Sequence, residues 1–61
     1  MVSDRAIDLA ARALIELFGK DAPERAASMV EEKGQIGDAE GEAFWSRLEL
    51  RIRERLLTAD A

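Results

Sequence analysis

Two short interruptions that contain glycine divide the sequence into three segments whose apolar residues recur with a helical period. The first interruption is "GKDAP" at positions 19–23, and the second is "GQIGD" at positions 34–38. Connections this short between helices are typical of antiparallel neighbours. The sequence therefore predicts a single all-α domain over residues 1–61, folded as a compact antiparallel three-helix bundle. Its helices are expected at about 4–18, 22–33 and 39–57.

Capping residues mark the start and end of the first predicted helix. Ser3 is expected to be the N-cap, with a hydroxyl that accepts a hydrogen bond from a first-turn amide. Val2 is expected to pack on Ile7 as a hydrophobic staple, and Asp4 suits the positive end of the helix dipole. Gly19 can adopt the left-handed conformation that ends many helices.

The second and third helices carry similar signals. Asp21 and Glu24 have the spacing of a capping box, and Pro23 is tolerated in a first helical turn. Gly34 is expected to end the second helix, and Asp38 is expected to cap the third. The three predicted helices therefore account for almost the whole chain.

The apolar faces of the three helices define a predicted core. Gly41 points inwards on the third helix, which predicts that another helix passes too close there for a side chain. Ile36 is the one apolar residue of the second connection, and we expect it to fold onto the core. The other predicted core residues are Ile7, Ala10, Ala11, Leu14, Leu17, Phe18, Ala22, Ala26, Met29, Val30, Phe44, Trp45, Leu48, Ile52 and Leu56.

Size and charge exclude several classes of protein. A chain of 61 residues without cysteine has no disulfide or thiolate metal site to reinforce its core, so its stability depends on helix packing. The net charge of −4 disfavours binding to phosphate backbones and anionic membranes. No apolar run approaches the roughly 20 residues that span a bilayer, and the N-terminal segment lacks the pattern of a secretory signal. We expect a cytoplasmic protein with no membrane partner.

The residue types on which most catalysis at neutral pH depends are missing. The sequence has no histidine, cysteine or tyrosine, so its serines have no imidazole to activate them. Asp38, Glu40, Glu42 and Glu49 have part of the spacing of a calcium loop, but Ala43 occupies the position that requires glycine. We expect no enzyme activity, no cofactor, no metal and no small-molecule substrate.

The third helix carries a second apolar face, opposite its core face. Ala43, Leu50 and Leu57 recur every seven residues and lie about 140–180° from Leu48 around the helix. Single exposed leucines need no explanation, whereas a row of them on so small a domain is typical of a surface that another chain covers. The sequence predicts a protein-protein interaction or regulatory module, docking most simply on a second copy. Scattered surface leucines, or a helix with both sides partly covered, are the alternative.

Arginines beside this face have two interpretations. Arg47, Arg51 and Arg53 are expected to form a polar rim that sets the register of the partner. With Arg55 they crowd into nine residues, as on a recognition helix that enters a DNA groove. Interleaved glutamates and the negative net charge weigh against nucleic acid. We favour pairing with acidic residues of the other helices or of a partner, and keep a nucleic-acid-binding regulator as the alternative.

One further pattern runs through most of the chain. "ALIELFGKDAPERAA" is followed by "GDAEG" and then by "W.RL...I.ERL". In these motifs the chain resembles a group of small bacterial helical proteins of unknown function. It departs from their pattern at Phe18 and Lys20, where a more polar helix end is expected. The resemblance implies the helical fold and brings no catalytic residue with it. The matching positions are Leu14, Ile15, Gly19, Asp21, Ala22, Ala26, Gly37, Asp38, Gly41, Trp45, Arg47 and Ile52.

Overall fold

The computed structural model describes residues 3–59, and the regular secondary structure in this part of the chain is helical, with no strand. Helix α1 spans Asp4–Phe18, a 3-10 turn covers Gly19–Asp21, α2 spans Ala22–Gln35 and α3 spans Ala39–Ala59. The chain measures 37 × 22 × 16 Å along its principal axes. The predicted compact, all-α class is confirmed, and the helix limits agree with the predicted ones within two residues at each end.

The ends of α1 follow the predicted capping pattern. The hydroxyl of Ser3 accepts a hydrogen bond from the Ala6 amide at 3.1 Å, and the Ser3 backbone is extended, as an N-cap requires. Gly19 has a φ of 57°, and its amide donates to the carbonyl of Ile15. A residue with a Cβ would be strained in that conformation, which explains why glycine ends the helix. The predicted packing of Val2 on Ile7 lies outside the described residues.

The connection between α1 and α2 is itself helical. Asp21 has helical backbone angles (φ −84°, ψ −6°), and its side chain makes no capping hydrogen bond. The predicted capping box of Asp21 and Glu24 is therefore wrong, because an N-cap side chain reaches the first-turn amides from an extended backbone. The Ala22 amide instead donates to the carbonyl of Gly19 within the 3-10 turn. As a result α1 and α2 form one bent helical segment.

Glycine also ends α2, but at a different position from the predicted one. Gly34 lies inside the helix, which continues to Gln35, and the left-handed residue is Gly37, with a φ of 76°. The Asp38 amide then donates to the carbonyl of Lys33 at 2.9 Å and closes the turn. Ile36 is 68% exposed, so the prediction that it folds onto the core is wrong.

The start of α3 is capped as predicted. The carboxylate of Asp38 accepts a hydrogen bond from the Gly41 amide at 2.9 Å, and the Asp38 carbonyl accepts one from the Glu42 amide at 2.9 Å. A Cβ built on Gly41 would collide with the Asp38 carboxylate and would lie 3.1 Å from Cδ of Lys33. The position is crowded as predicted. The neighbours, however, are the capping side chain and a lysine of α2, and not the backbone of another helix.

The core is small and rich in alanine. Alanines in α2 bring that helix close to α3, and the two run antiparallel, since Pro23 lies near Leu56 while Gly34 lies near Glu42. A domain of 61 residues is expected to have a free energy of unfolding of about 3–9 kcal/mol. The fully buried core residues are Ile7, Ala11, Ala22, Ala26, Leu48 and Ile52. Those packed around them are Ala10, Leu14, Ile15, Phe18, Phe44, Trp45 and Leu56.

The predicted three-helix bundle describes this arrangement only in part. Both arms of the bent segment pack on α3, α2 more extensively than α1, whereas α1 and α2 make few contacts with each other. Because α1 has one main neighbour instead of two, a narrower sector of its surface is covered. Leu17 falls outside that sector and is 74% exposed, so its assignment to the core is wrong.

Candidate interaction surfaces on helices one and three

The outer side of α3 carries an exposed apolar row, which we call the α3 outer stripe and define as Ala43, Leu50 and Leu57. Leu50 is 63% exposed and Leu57 is 76% exposed, and Ala43 is also exposed. The core residues Leu48 and Ile52 of the same helix are fully buried. The structure thus places the three predicted anchor positions together, in solvent, on the side of α3 that faces away from the core.

Charged residues flank the α3 outer stripe on both sides. Arg47 and Glu54 lie about 40–60° to one side of Leu50 around the helix, and Arg53 lies about 60° to the other. A guanidinium nitrogen of Arg47 lies 2.8 Å from a carboxylate oxygen of Asp4 in α1. Arg53 donates two hydrogen bonds to Glu49, at 2.8 and 3.0 Å, in the expected i,i+4 order. Both rim arginines are thereby held in place beside the leucines.

The other two arginines of α3 lie farther from the stripe. Arg51 is half-buried and lies about 100° from Leu50 around the helix. Arg55 donates a hydrogen bond of 2.8 Å to Asp8 of α1. Of the four arginines, three therefore pair with carboxylates of this chain within residues 3–59. Arg47 and Arg55 thus contribute to holding α1 on α3.

A second exposed apolar row lies on α1, and the sequence analysis did not single it out. We call it the α1 outer stripe and define it as Ala6, Leu9, Ala13 and Leu17. All four residues are exposed, with 57% of Leu9 and 74% of Leu17 in solvent. One signal could have revealed it. The five charged residues of α1 fall within an arc of about 120°, which leaves more uncharged surface than one neighbour can cover.

A groove between the two arms of the bent segment and the start of α3 encloses about 240 Å³. Arg25 closes one side, with its guanidinium carbon 4.8 Å from the centre of the Phe18 ring, a cation–π contact. The volume lies below the roughly 300–1,000 Å³ of typical small-molecule sites. The groove is lined by Leu14, Phe18, Arg25, Ser28, Met29, Glu32 and Trp45.

Comparison with known proteins does not place this chain in a family. No protein-family model, no curated protein and no solved structure matches it. The resemblance to small bacterial helical proteins therefore stays a prediction.

Two of the acidic residues with calcium-loop spacing, Asp38 and Glu49, make contacts within the chain. The Asp38 carboxylate is occupied by the Gly41 amide, and Glu49 holds Arg53. No group of three or more side chains that could ligate a metal occurs among the described residues. No helix in the described part of the chain combines the length and the apolar character needed to cross a bilayer. The two outer stripes are therefore the surfaces on which a function can be argued.

Proposed function

We propose that this protein is a non-enzymatic interaction module, which associates with a second copy of itself through the α3 outer stripe. The observation that carries the proposal is the exposure of Leu50 and Leu57, one heptad apart, on a domain in which six apolar residues of the described part form the fully buried core.

The stripe is complementary to itself in size when two α3 helices pack antiparallel about a two-fold axis at Leu50. Leu50 then packs on Leu50 of the second copy, and Leu57 packs on Ala43 at both ends. Large residues meet small ones wherever they do not lie on the axis, which avoids both gaps and collisions. A parallel pairing would instead place Ala43 on Ala43 and leave a gap at one end.

The charges on one flank are complementary in the same register. Arg47 lies within one residue of the position opposite Glu54 of the second copy, and the two-fold axis repeats the pair. Both residues are exposed, so each pair contributes about 0.2–1 kcal/mol and fixes the register more than the affinity. Arg47 can contact Asp4 and the second copy together, because a guanidinium group carries five N–H donors.

The expected affinity is low. A fully buried leucine contributes about 1.5–3 kcal/mol, so four partly exposed leucines per dimer contribute about 4–8 kcal/mol. Association itself costs about 4–15 kcal/mol. The net free energy of association is at best about −4 kcal/mol, a dissociation constant of about 1 mM or weaker, so dimers are expected only at high concentration and are in exchange with monomers. A dimer with so small a net free energy of association belongs with weak, transient complexes, whose interfaces bury less than about 1,200 Å².

Sedimentation velocity over a wide concentration range tests the proposal. The wild type should show a larger mass at high concentration, and the double variant Leu50→Glu with Leu57→Glu should weaken or remove that association. A matched control, Ser28→Glu with Gln35→Glu, adds the same charge at exposed positions of α2 and should leave the association unchanged. The proposal fails if the wild type is a monomer throughout, or if the leucine variant and the control behave alike.

Disulfide trapping tests the antiparallel orientation, because the chain has no cysteine of its own. Leu50→Cys should form a covalent dimer rapidly on mild oxidation, since the two thiols meet at the axis. Leu57→Cys should do so slowly, because the two copies of that position lie about 21 Å apart along the helices. Equal rates at both positions would indicate a parallel pair and contradict the proposed arrangement.

A further inference from the structure

We infer that the α1 outer stripe is a second self-association surface, covered by α1 of another copy in antiparallel orientation. The inference goes beyond the proposed function, which uses α3 alone. It starts from the exposure of Leu9 and Leu17 beside two exposed alanines. No charged side chain interrupts the stripe, since every charged residue of α1 lies on one side of the helix.

The sizes of the four residues suit such a pair. In one antiparallel register, Leu9 packs on Ala13 of the second copy, and Leu17 comes within one residue of Ala6. The two-fold axis repeats both contacts with the roles reversed. Each leucine therefore meets an alanine, and the small residues let the two helices approach closely enough for the leucines to touch the opposite backbone.

The charges next to the stripe are compatible with the same register to within one residue. Arg5 and Glu16 are exposed on the same flank of α1, and neither forms an ion pair with another described residue. In the register set by the leucines, Arg5 comes within one residue of Glu16 of the second copy, and symmetry makes two such pairs. A partner unrelated to this chain has no reason to match this spacing in both size and charge. The complementarity therefore points to a second copy.

The two outer stripes face in different directions. Ile7 and Ala11 of α1 share one core with Leu48 and Ile52 of α3. The α3 outer stripe lies about 140–180° from the core residues of its own helix, and the α1 outer stripe lies about 80–160° from Ile7 and Ala11. A chain can therefore bind one copy through α1 and another through α3. Alternation of the two contacts builds assemblies larger than a dimer.

A charge-exchange experiment tests the α1 surface separately from the α3 surface. The full-length chain with Leu50→Glu and Leu57→Glu serves as the parent, in which the proposed α3 contact is blocked. Arg5→Glu and Glu16→Arg are then introduced singly. Both suit the helix dipole, since the first adds an acid to the first turn and the second adds a base to the last. Circular dichroism and thermal melting confirm that each variant folds.

We expect the parent to dimerise at high concentration and low salt, and each single variant to associate about tenfold more weakly. An equimolar mixture of the two variants should recover the association, because each reversed charge then meets its opposite on the other chain. The mixture needs no separate control, since it contains only the two variants that associate weakly when each is measured alone. High salt should reduce the recovery.

The possible failures separate the two surfaces. A parent that stays monomeric, or a mixture that associates no better than its components, overturns the α1 inference and leaves the α3 proposal standing. A wild type whose association is unaffected by the leucine substitutions on α3, but is lost with Arg5→Glu, overturns the α3 proposal and supports the α1 surface.

Discussion

Arg55 of α3 donates a hydrogen bond of 2.8 Å to Asp8 of α1, and both side chains are about two-fifths exposed. A second pair, Arg47 with Asp4, lies nearer the start of α1. These contacts have a particular importance here because α1 makes few contacts with α2. The first arm of the bent segment is held on α3 by Ile7, Ala11 and these two ion pairs.

A double-mutant cycle on Asp8→Ala and Arg55→Ala should give a coupling energy of about 0.5–1 kcal/mol in urea unfolding. The exposed pair of Arg53 with Glu49 should give about 0.3–0.5 kcal/mol, as other i,i+4 pairs do. Both couplings should fall as salt is added. A coupling near zero for Asp8 with Arg55 would show that apolar contacts alone hold α1 in place.

Substitutions at Ile52, which is fully buried, should show how thin the stability margin is. Ile52→Val should cost about 0.5–1.5 kcal/mol and Ile52→Ala about 2–5 kcal/mol. With a total of about 3–9 kcal/mol, the alanine variant should lose about half of its free energy of unfolding, as measured by urea unfolding followed by circular dichroism. Leu57→Ala in dilute solution is the control, and should change the free energy of unfolding by less than about 0.5 kcal/mol. Similar losses at both positions would contradict the described core.

Replacing each of the two glycines near the end of α2, Gly34 and Gly37, with alanine should change the free energy of unfolding in opposite directions. Gly34 lies inside α2, and an added Cβ meets only the flexible end of Glu42, at 2.9 Å, so Gly34→Ala should stabilise by about 0.5–1 kcal/mol. Gly37 has a φ of 76°, and Gly37→Ala should destabilise by about 1–2 kcal/mol. The midpoints of urea unfolding curves, compared at equal slope, measure both changes in the free energy of unfolding. Shifts in the same direction would mean that the turn is placed differently.

The limits of the helices could be predicted from the sequence because local chemistry determines them. Ser3 and Asp38 cap through side chains that reach amides three residues away, and that geometry depends on nothing distant. The prediction of a capping box at Asp21 was wrong because it depended on more than local residue spacing. Its residue spacing was correct, but the chain stayed helical through the bend, and no pattern within four residues reveals whether a backbone leaves the helix.

The prediction of which faces are covered was less successful, because coverage depends on how many neighbours a helix has. Helical period alone places Leu17 and Phe18 on one broad face of α1. With two neighbours both would be buried, but α1 packs mainly on α3, and Leu17 is exposed. The α1 outer stripe was missed for the same reason. The exposed Ala43, Leu50 and Leu57 were found because their face lies opposite a core that was itself correctly predicted.

The melting temperature should depend on protein concentration if folding and self-association are coupled. At ten times the dissociation constant, binding of a second copy adds about 1.4 kcal/mol to the native state, which raises Tm by about 5–10 °C for a domain of this size. The variant with Leu50→Glu and Leu57→Glu should lose the part of this dependence that the α3 outer stripe provides. Scanning calorimetry at several concentrations measures it. A wild-type Tm that stays constant up to concentrations at which larger species sediment would mean that those species are not formed by the native fold.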